Sequence, residues 1–186
     1  LGFNDSWGIE PRLTANYLLS SKQTLSLGYG LHHQMQPLPM LFYQSPLPDG
    51  SYDQSNHNLD FTRSNQFVLS YDFKMGTDWR LKAETYFQGI SKVPVESEPG
   101  SFSMLNVGAS FGFPDEGFLV NEGTGKNYGA ELTVEKFFSK GYYLLMTSSI
   151  YESKYKGSDG IERNTAFNTH YTFNFLGGKE VKIGKD

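Results

Sequence analysis

Residues 59–74 alternate in character. The odd positions, Leu59, Phe61, Arg63, Asn65, Phe67, Leu69, Tyr71 and Phe73, are apolar or aromatic in six of eight cases, whereas Val68 is the one apolar residue among the eight even positions. A period of two belongs to a β-strand, whose successive side chains point to opposite faces. The run is far longer than the usual globular strand of about 5 to 6 residues. The pattern recurs at 24–31, where Leu25, Leu27, Tyr29 and Leu31 oppose Thr24, Ser26, Gly28 and Gly30. At 79–89, Trp79, Leu81, Ala83 and Phe87 oppose Arg80, Lys82, Glu84 and Gln88. At 127–135, Tyr128, Ala130, Leu132 and Val134 oppose Asn127, Glu131, Thr133 and Glu135. At 163–176, Phe167, Tyr171, Phe173 and Phe175 oppose Asn164, Asn168, His170 and Asn174. Residues 142–155 carry Tyr, Leu and Ile on both faces, and 11–19 make a weaker first strand.

The connections fall into two kinds. Short turns are expected at 20–23, 75–78 and 139–141 and at Gly177-Gly178, with long excursions at 35–58, 91–119 and 156–162. Short and long alternate strictly, as in an up-and-down barrel with turns at one end and loops at the other. A Greek-key sandwich has no such requirement. Aromatics gather at the short turns: Tyr71, Phe73 and Trp79, then Phe137, Phe138, Tyr142 and Tyr143, then Phe173 and Phe175. Amphipathic rings favour the headgroup depth of a membrane, although aromatic pairs stabilise any hairpin.

Composition sharpens this picture. Phe 15, Tyr 12 and Trp 2 make the chain 16% aromatic, yet its mean hydropathy is -0.47. A membrane helix needs about 20 apolar residues, and no run here approaches that. A transmembrane strand escapes hydropathy windows because half of it faces water. The net charge of -4 gives no electrostatic reason to expect nucleic acid. Without cysteine there is neither a disulfide framework nor a thiolate metal site. The opening residues 1–5 lack a basic start and an apolar core, so no signal peptide is seen. Either one was removed or the chain is expected to be an internal piece of something larger.

Several segments resemble the C-terminal half of the barrel of TonB-dependent outer-membrane receptors, the type with a carboxypeptidase-regulatory-like N-terminal extension. They are Glu10-Pro11-Arg12-Leu13, residues 25–32, 80–86, 121–143 (a Gly-rich loop leading into a strand), 153–160 and 163–168, and Leu176-Gly177-Gly178-Lys179-Glu180. The likeness spans nearly the whole chain and is most specific in the last third. It implies an all-β fold, an antiparallel up-and-down transmembrane β-barrel segment, with residues 1–186 supplying about seven strands of a roughly 22-stranded barrel. The plug domain and remaining strands would lie elsewhere. It also implies active import of a scarce nutrient across the Gram-negative outer membrane, with energy from the TonB complex. The partners would then be outer-membrane lipid, the plug, the remaining strands, TonB and an unidentified imported molecule.

On that reading Leu59, Phe67, Leu69, Tyr71, Leu132, Val134 and Phe173 face lipid. Arg80, Lys82, Glu84, Glu131, Glu135, Asn168 and His170 face the lumen or plug; on bare periodicity they could equally line a solvated sheet face. Loop 35–58 holds Met40, Phe42 and Tyr43 among prolines and is a candidate for substrate contact, or equally for packing onto neighbouring loops. Catalytic residues, a metal and cofactors are not expected. His32-His33 would point to opposite faces of a strand. Ser153 and Lys156 have the Ser-x-x-Lys spacing that works only on a helix. Gly123-Thr124-Gly125-Lys126 leads into a strand, not the helix a phosphate loop requires. Asp49-Gly50-Ser51-Tyr52-Asp53 lacks the acidic pattern of a calcium loop. The alternative is a soluble β-rich binding or adhesion domain.

Overall fold

The computed structural model describes residues 4–108, 117–181 and 183–184. They form an antiparallel up-and-down sheet, the wall of a β-barrel-type fold. The strands are β1 (Arg12–Ser20), β2 (Gln23–Gln34), β5 (Thr62–Met75), β6 (Trp79–Glu96), β7 (Leu119–Ser139), β8 (Tyr142–Lys156) and β10 (Tyr171–Lys179). Between β2 and β5 lie one helical turn, α1 (Leu38–Leu41), and a small hairpin of β3 (Ser45–Pro46) and β4 (Tyr52–Asp53). The short β9 (Glu162–Asn164) adds to the far end of β8. The order across the sheet is β1-β2-β5-β6-β7-β8-β10, so every main strand pairs with its sequence neighbours.

Register makes the sheet two-faced. Leu25, Tyr71, Ala83, Leu132, Ser148 and Phe173 lie opposite one another in one row across six strands. One residue along, Thr24, Asp72, Lys82, Thr133, Thr147 and Asn174 form a row on the other face. Exposure is inverted relative to a water-soluble sheet. Phe67 and Leu69 are 47% and 43% exposed, while their polar-face neighbours Gln66 and Ser70 are half-buried. Among the described residues no second layer covers the apolar face. The buried hydrophobic cluster, Met40, Leu41, Leu59 and Leu119, lies instead in the long connections and at the start of β7, with Phe102 and Met104 packed against it.

Several expected boundaries move. The Gly-rich stretch from Asn121 belongs to β7 and is not a loop, and β6 runs on to Glu96. Its glycines are there because the partners sit close. A Cβ on Gly123 would lie 2.4 Å from Val95 Cγ1, and one on Gly125 2.3 Å from Leu105 Cδ1. Gly177-Gly178 is strand and not turn, because the Tyr143 ring lies over Gly178, 2.5 Å from where a Cβ would stand. The expected strand 163–176 is broken between β9 and β10, with His170 at φ 67°. The turn after β7 is as tight as its residues suggest: Lys140 and Gly141 have φ of 52° and 78°. Positive φ at both central positions is the type I′ geometry that matches strand twist. Residues 109–116 of the expected long loop lie outside the described residues.

Candidate functional site

The apolar face ends abruptly at both margins. Towards the long connections, Tyr29, Phe67, Phe87 and Tyr128 stand side by side on four adjacent strands. The Tyr29 and Phe67 ring centroids are 4.9 Å apart. The next row on the same face is Leu31, Asn65, Gly89, Lys126 and Lys154, so polarity switches within one step of the pleat. This aromatic row falls at the opposite margin from the short-turn aromatics and was not anticipated, because it exists only across strands. Towards the short turns, Lys136 shares a row with Trp79 and Leu144. Its ammonium is buried but satisfied: it donates to the carbonyls of Phe137, Ser139 and Tyr142 and to Ser139 Oγ, and lies 3.9 Å from the centre of the Tyr142 ring.

The polar face carries a charged belt near the short turns. Arg80 donates from Nε to Asp72 at 2.7 Å and lies 3.8 Å from Glu135; Lys82 meets Glu84 at 2.7 Å. Register places Glu131 beside Glu84 in the same belt. Nearer the long connections the same face becomes neutral. Asn127 Nδ2 donates to Gln88 Oε1 at 2.7 Å, and Gln88 Nε2 donates to Ser64 Oγ at 2.8 Å, an amide relay over three strands. Beside it Tyr86, Gly129 and Tyr151 share a row; a Cβ on Gly129 would sit 3.0 Å from the Tyr86 hydroxyl, so the missing side chain makes room for that ring. Leu105 comes down from the β6–β7 connection over Gly125, and Phe167 and Thr165 close the side. Together these residues line a cleft of about 450 Å³.

The long connections are tied together around this cleft. Ser158 Oγ accepts from Gly100 N–H at 2.9 Å, and Asn106 Oδ1 accepts from Ala166 N–H at 2.7 Å. Asp159 receives both guanidinium nitrogens of Arg163, at 2.9 and 2.6 Å. Those bonds, then that from Ile161 N–H, hold its carboxyl below the usual carboxylate range.

The anticipated site residues divide as follows. Phe67, Leu69, Tyr71, Leu132, Val134 and Phe173 stand on the apolar face by register. Leu59 does not. It precedes β5, whose pairing begins only at Thr62, and is 5% exposed, packed with Met40, Leu41 and Leu119. Arg80, Lys82, Glu84, Glu131 and Glu135 stand on the polar face. Asn168 and His170 do not, since the break before β10 removes them from strand periodicity. Both bond Glu152, at 3.0 and 3.1 Å, and Glu152 lies opposite Tyr128 on the other face. Met40 is buried in the loop cluster and offers no contact surface; Phe42 is exposed and Tyr43 half-buried. His32 and His33 fall on opposite faces, pairing with Ser64 and Arg63. The cleft residues Tyr86 and Tyr151 were passed over. Their signal was an aromatic at a polar-face position of an alternating strand.

No family model matches the chain, and no curated protein matches it in sequence. Among solved structures it is similar to the FrpB iron transporter from Neisseria meningitidis (F3-3 variant), at 12% identity and a TM-score of 0.51. The match covers 82% of this chain and 21% of that one. At that identity the likeness concerns fold, and this chain spans about a fifth of the transporter's length.

Proposed function

We propose that this chain is part of the wall of an outer-membrane barrel that takes up a scarce nutrient with energy from the TonB complex. The observation that carries the reading is the inverted sheet: an apolar face left exposed and bordered by aromatic rows, backed by a charged and amide-lined face. Phe67 to Met75 spans eight steps of β5, about 27 Å at about 3.4 Å per residue. At the usual strand tilt of about 40° this is about 20 Å of membrane depth, close to the apolar band of about 25 Å in such barrels. Lipid would meet Phe67, Leu69 and Leu132, while Arg80, Lys82 and Glu84 would line the lumen and meet a plug. The fold likeness to a solved transporter and the resemblance of 121–143 to receptor strands support the same reading. Binding and gating suffice for transport, so no bond-making residues are needed.

The test uses the intact protein that contains this chain. It should fractionate with the outer membrane, and cells should lose uptake of its nutrient when the protein or TonB is deleted. Recovery in the soluble fraction, or uptake indifferent to TonB, would refute the reading.

A further inference from the structure

We infer that the apolar face of β6, β7 and β8 holds one molecule of a phosphorylated, acylated glycolipid, the class of lipid that fills the outer leaflet of a Gram-negative outer membrane. The inference rests on the membrane-wall reading, since it takes the apolar face to meet lipid and the long connections to lie outside the cell. Two recesses on that face, one apolar and one basic, lie end to end.

The apolar recess is a break in a wall of large side chains. Leu69, Thr85, Ala130 and Ile150 stand side by side in one row across the sheet. The small pair at its centre leaves a groove of about 410 Å³, bounded towards the long connections by Tyr128 and Glu152. Ala83 continues it in the next row towards the short turns. The Thr85 hydroxyl is satisfied within the wall, donating to the Gly129 carbonyl at 3.0 Å. The Glu152 carboxylate is held aside by Asn168 at 3.0 Å and His170 at 3.1 Å. Burial from water drives nothing in lipid; packing does. A groove between Leu69 and Ile150 gives one ordered acyl chain contacts on three sides, which a flat wall does not.

Beyond Tyr128 lies the basic recess, about 230 Å³, lined by Thr124, Lys126, Lys154, Lys156 and Glu162. Three ammonium groups meet two carboxylates there, Glu152 and Glu162, so the cluster keeps a net positive charge. Lys126 holds Glu162 at 2.7 Å. Lys154 lies between Glu152 at 3.7 Å and Glu162 at 3.9 Å, outside hydrogen-bond distance of both. Lys156 is exposed and forms no ion pair among the described residues. Ammonium groups so placed keep donors for a phosphate, a stronger acceptor. From Ala130 to Lys126 is four steps of β7, about 14 Å along the strand and about 10 Å of depth at a tilt of about 40°. The acyl slot thus lies inside the tyrosine row and the phosphate recess outside it, the order in which an acylated phosphoglycolipid presents its parts. Position selects the source: at the margin of the long connections the leaflet is built chiefly of such glycolipid, not of phospholipid.

The experiment takes the intact protein, purified in detergent and stripped of lipid, and titrates it under native mass spectrometry. The probes are bisphosphorylated lipid A, the same lipid A with its phosphates removed, and phosphatidylglycerol. Lipid A should add as a single molecule, and the other two should bind about tenfold more weakly. Lys126→Gln combined with Lys154→Gln should weaken lipid A about tenfold, and so should Ala130→Phe, which fills the groove. Glu162→Gln removes a competing carboxylate and should tighten it a few-fold, an effect that loss of structure would not give. Leu27→Phe, in the same row but beyond Leu69, should change nothing. Retained heat-modifiable mobility shows that each variant still forms its barrel. Phosphatidylglycerol bound as tightly as lipid A, with the same sensitivities, overturns the glycolipid class. Lipid A binding indifferent to the lysine and Ala130 substitutions, or no singly bound molecule, overturns the site. Either failure leaves the import reading standing where the protein fractionates with the outer membrane and uptake needs TonB. Recovery of the protein in the soluble fraction refutes that reading and the site with it.

Discussion

The side chain of Asn56, with no exposed surface, accepts a 2.9 Å hydrogen bond at Oδ1 from the backbone N–H of Leu119, 63 positions later. Its Nδ2 donates to the Gly117 carbonyl, also at 2.9 Å. One amide thus bolts the β2–β5 connection to the start of β7, beside the cluster of Met40, Leu41, Leu59 and Leu119. Asn56→Ala leaves a buried donor and acceptor unpaired, a cost of about 1 to 3 kcal/mol. Limited proteolysis should cut residues 35–61 faster in the variant while the sheet persists. Unchanged cleavage would mean the bolt carries no load.

Leu132 and Thr133 are adjacent and face opposite ways. On the membrane reading, arginine at Leu132 costs about 2 to 4 kcal/mol near the bilayer midplane, while arginine at Thr133 enters the wet, already charged row of Lys82. Levels of Leu132→Arg in purified outer membranes should fall well below those of Thr133→Arg. Equal loss, or greater loss for Thr133→Arg, would invert the assigned faces.

Gly28 and Gly129 lie in the same polar-face row, separated by Val68 and Tyr86. They differ in room. A Cβ at Gly28 meets nothing nearer than 3.9 Å, whereas one at Gly129 would lie 2.6 Å from the Ile150 carbonyl oxygen and 2.8 Å from Tyr151 Cβ. Backbone cannot step aside as a flexible side chain can. Gly129→Ala should therefore destabilise by about 1 to 3 kcal/mol, the usual cost of overpacking, and Gly28→Ala by much less. The temperature at which the folded barrel loses its heat-modifiable mobility reads the difference. Equal midpoints would show that β7 and β8 can part there at no cost.

The sheet was legible because period two is a local signal, and the alternation of short and long connections fixed which strands are neighbours. What failed depended on contacts distant in sequence. Gly123, Gly125 and Gly178 read as loop or turn residues, but Val95, Leu105 and Tyr143 occupy the space their side chains would need. Leu59 fits the period of β5 yet is captured by Met40 and Leu119, a partnership invisible along the chain. Asn168 and His170 kept the alternation on paper, while the left-handed backbone at His170 takes them out of strand pairing. The charged belt was readable because Arg80, Lys82 and Glu84 alternate within one strand. The cleft was not, since it needs Tyr86, Asn127, Tyr151 and Phe167 from four separate segments.

The Asp159–Arg163 pair sets a pH window for the β8–β10 connection. The Asp159 carboxyl is held below its usual range, chiefly by Arg163. Its folded-state pKa is lower than its unfolded one, so the pair's contribution is fully present above the unfolded value, near 4. It disappears as pH falls through the lower folded value. Hydrogen exchange in 157–164 should stay constant from neutral pH down to about pH 4, after correction for intrinsic rates, and accelerate only below it. Asp159→Asn should exchange fast throughout. Loosening of the wild-type connection on approach to pH 4 from above would contradict the sign of the shift.

The edges of the sheet give the last prediction. β1 pairs only with β2, and β10 pairs with β8, so each leaves one side of its backbone without a strand partner among the described residues. Every residue of β1 is exposed, among them Leu13, Tyr17, Leu18 and Leu19. In lipid an unpaired backbone group costs several kcal/mol, and so membrane sheets close; in water an apolar edge recruits other chains. β1 and β10 stand at opposite ends of the strand order, with five strands between them, and are not paired with each other among the described residues. Residues 1–186 expressed and refolded alone in detergent should therefore give aggregates or edge-paired oligomers, with β1 and β10 as the first segments to exchange amide hydrogens. The same segments inside the intact protein should be among its protected strands. A monodisperse, protease-resistant monomer of the isolated segment would show that these seven strands satisfy their own edges, and the open-wall architecture would fall.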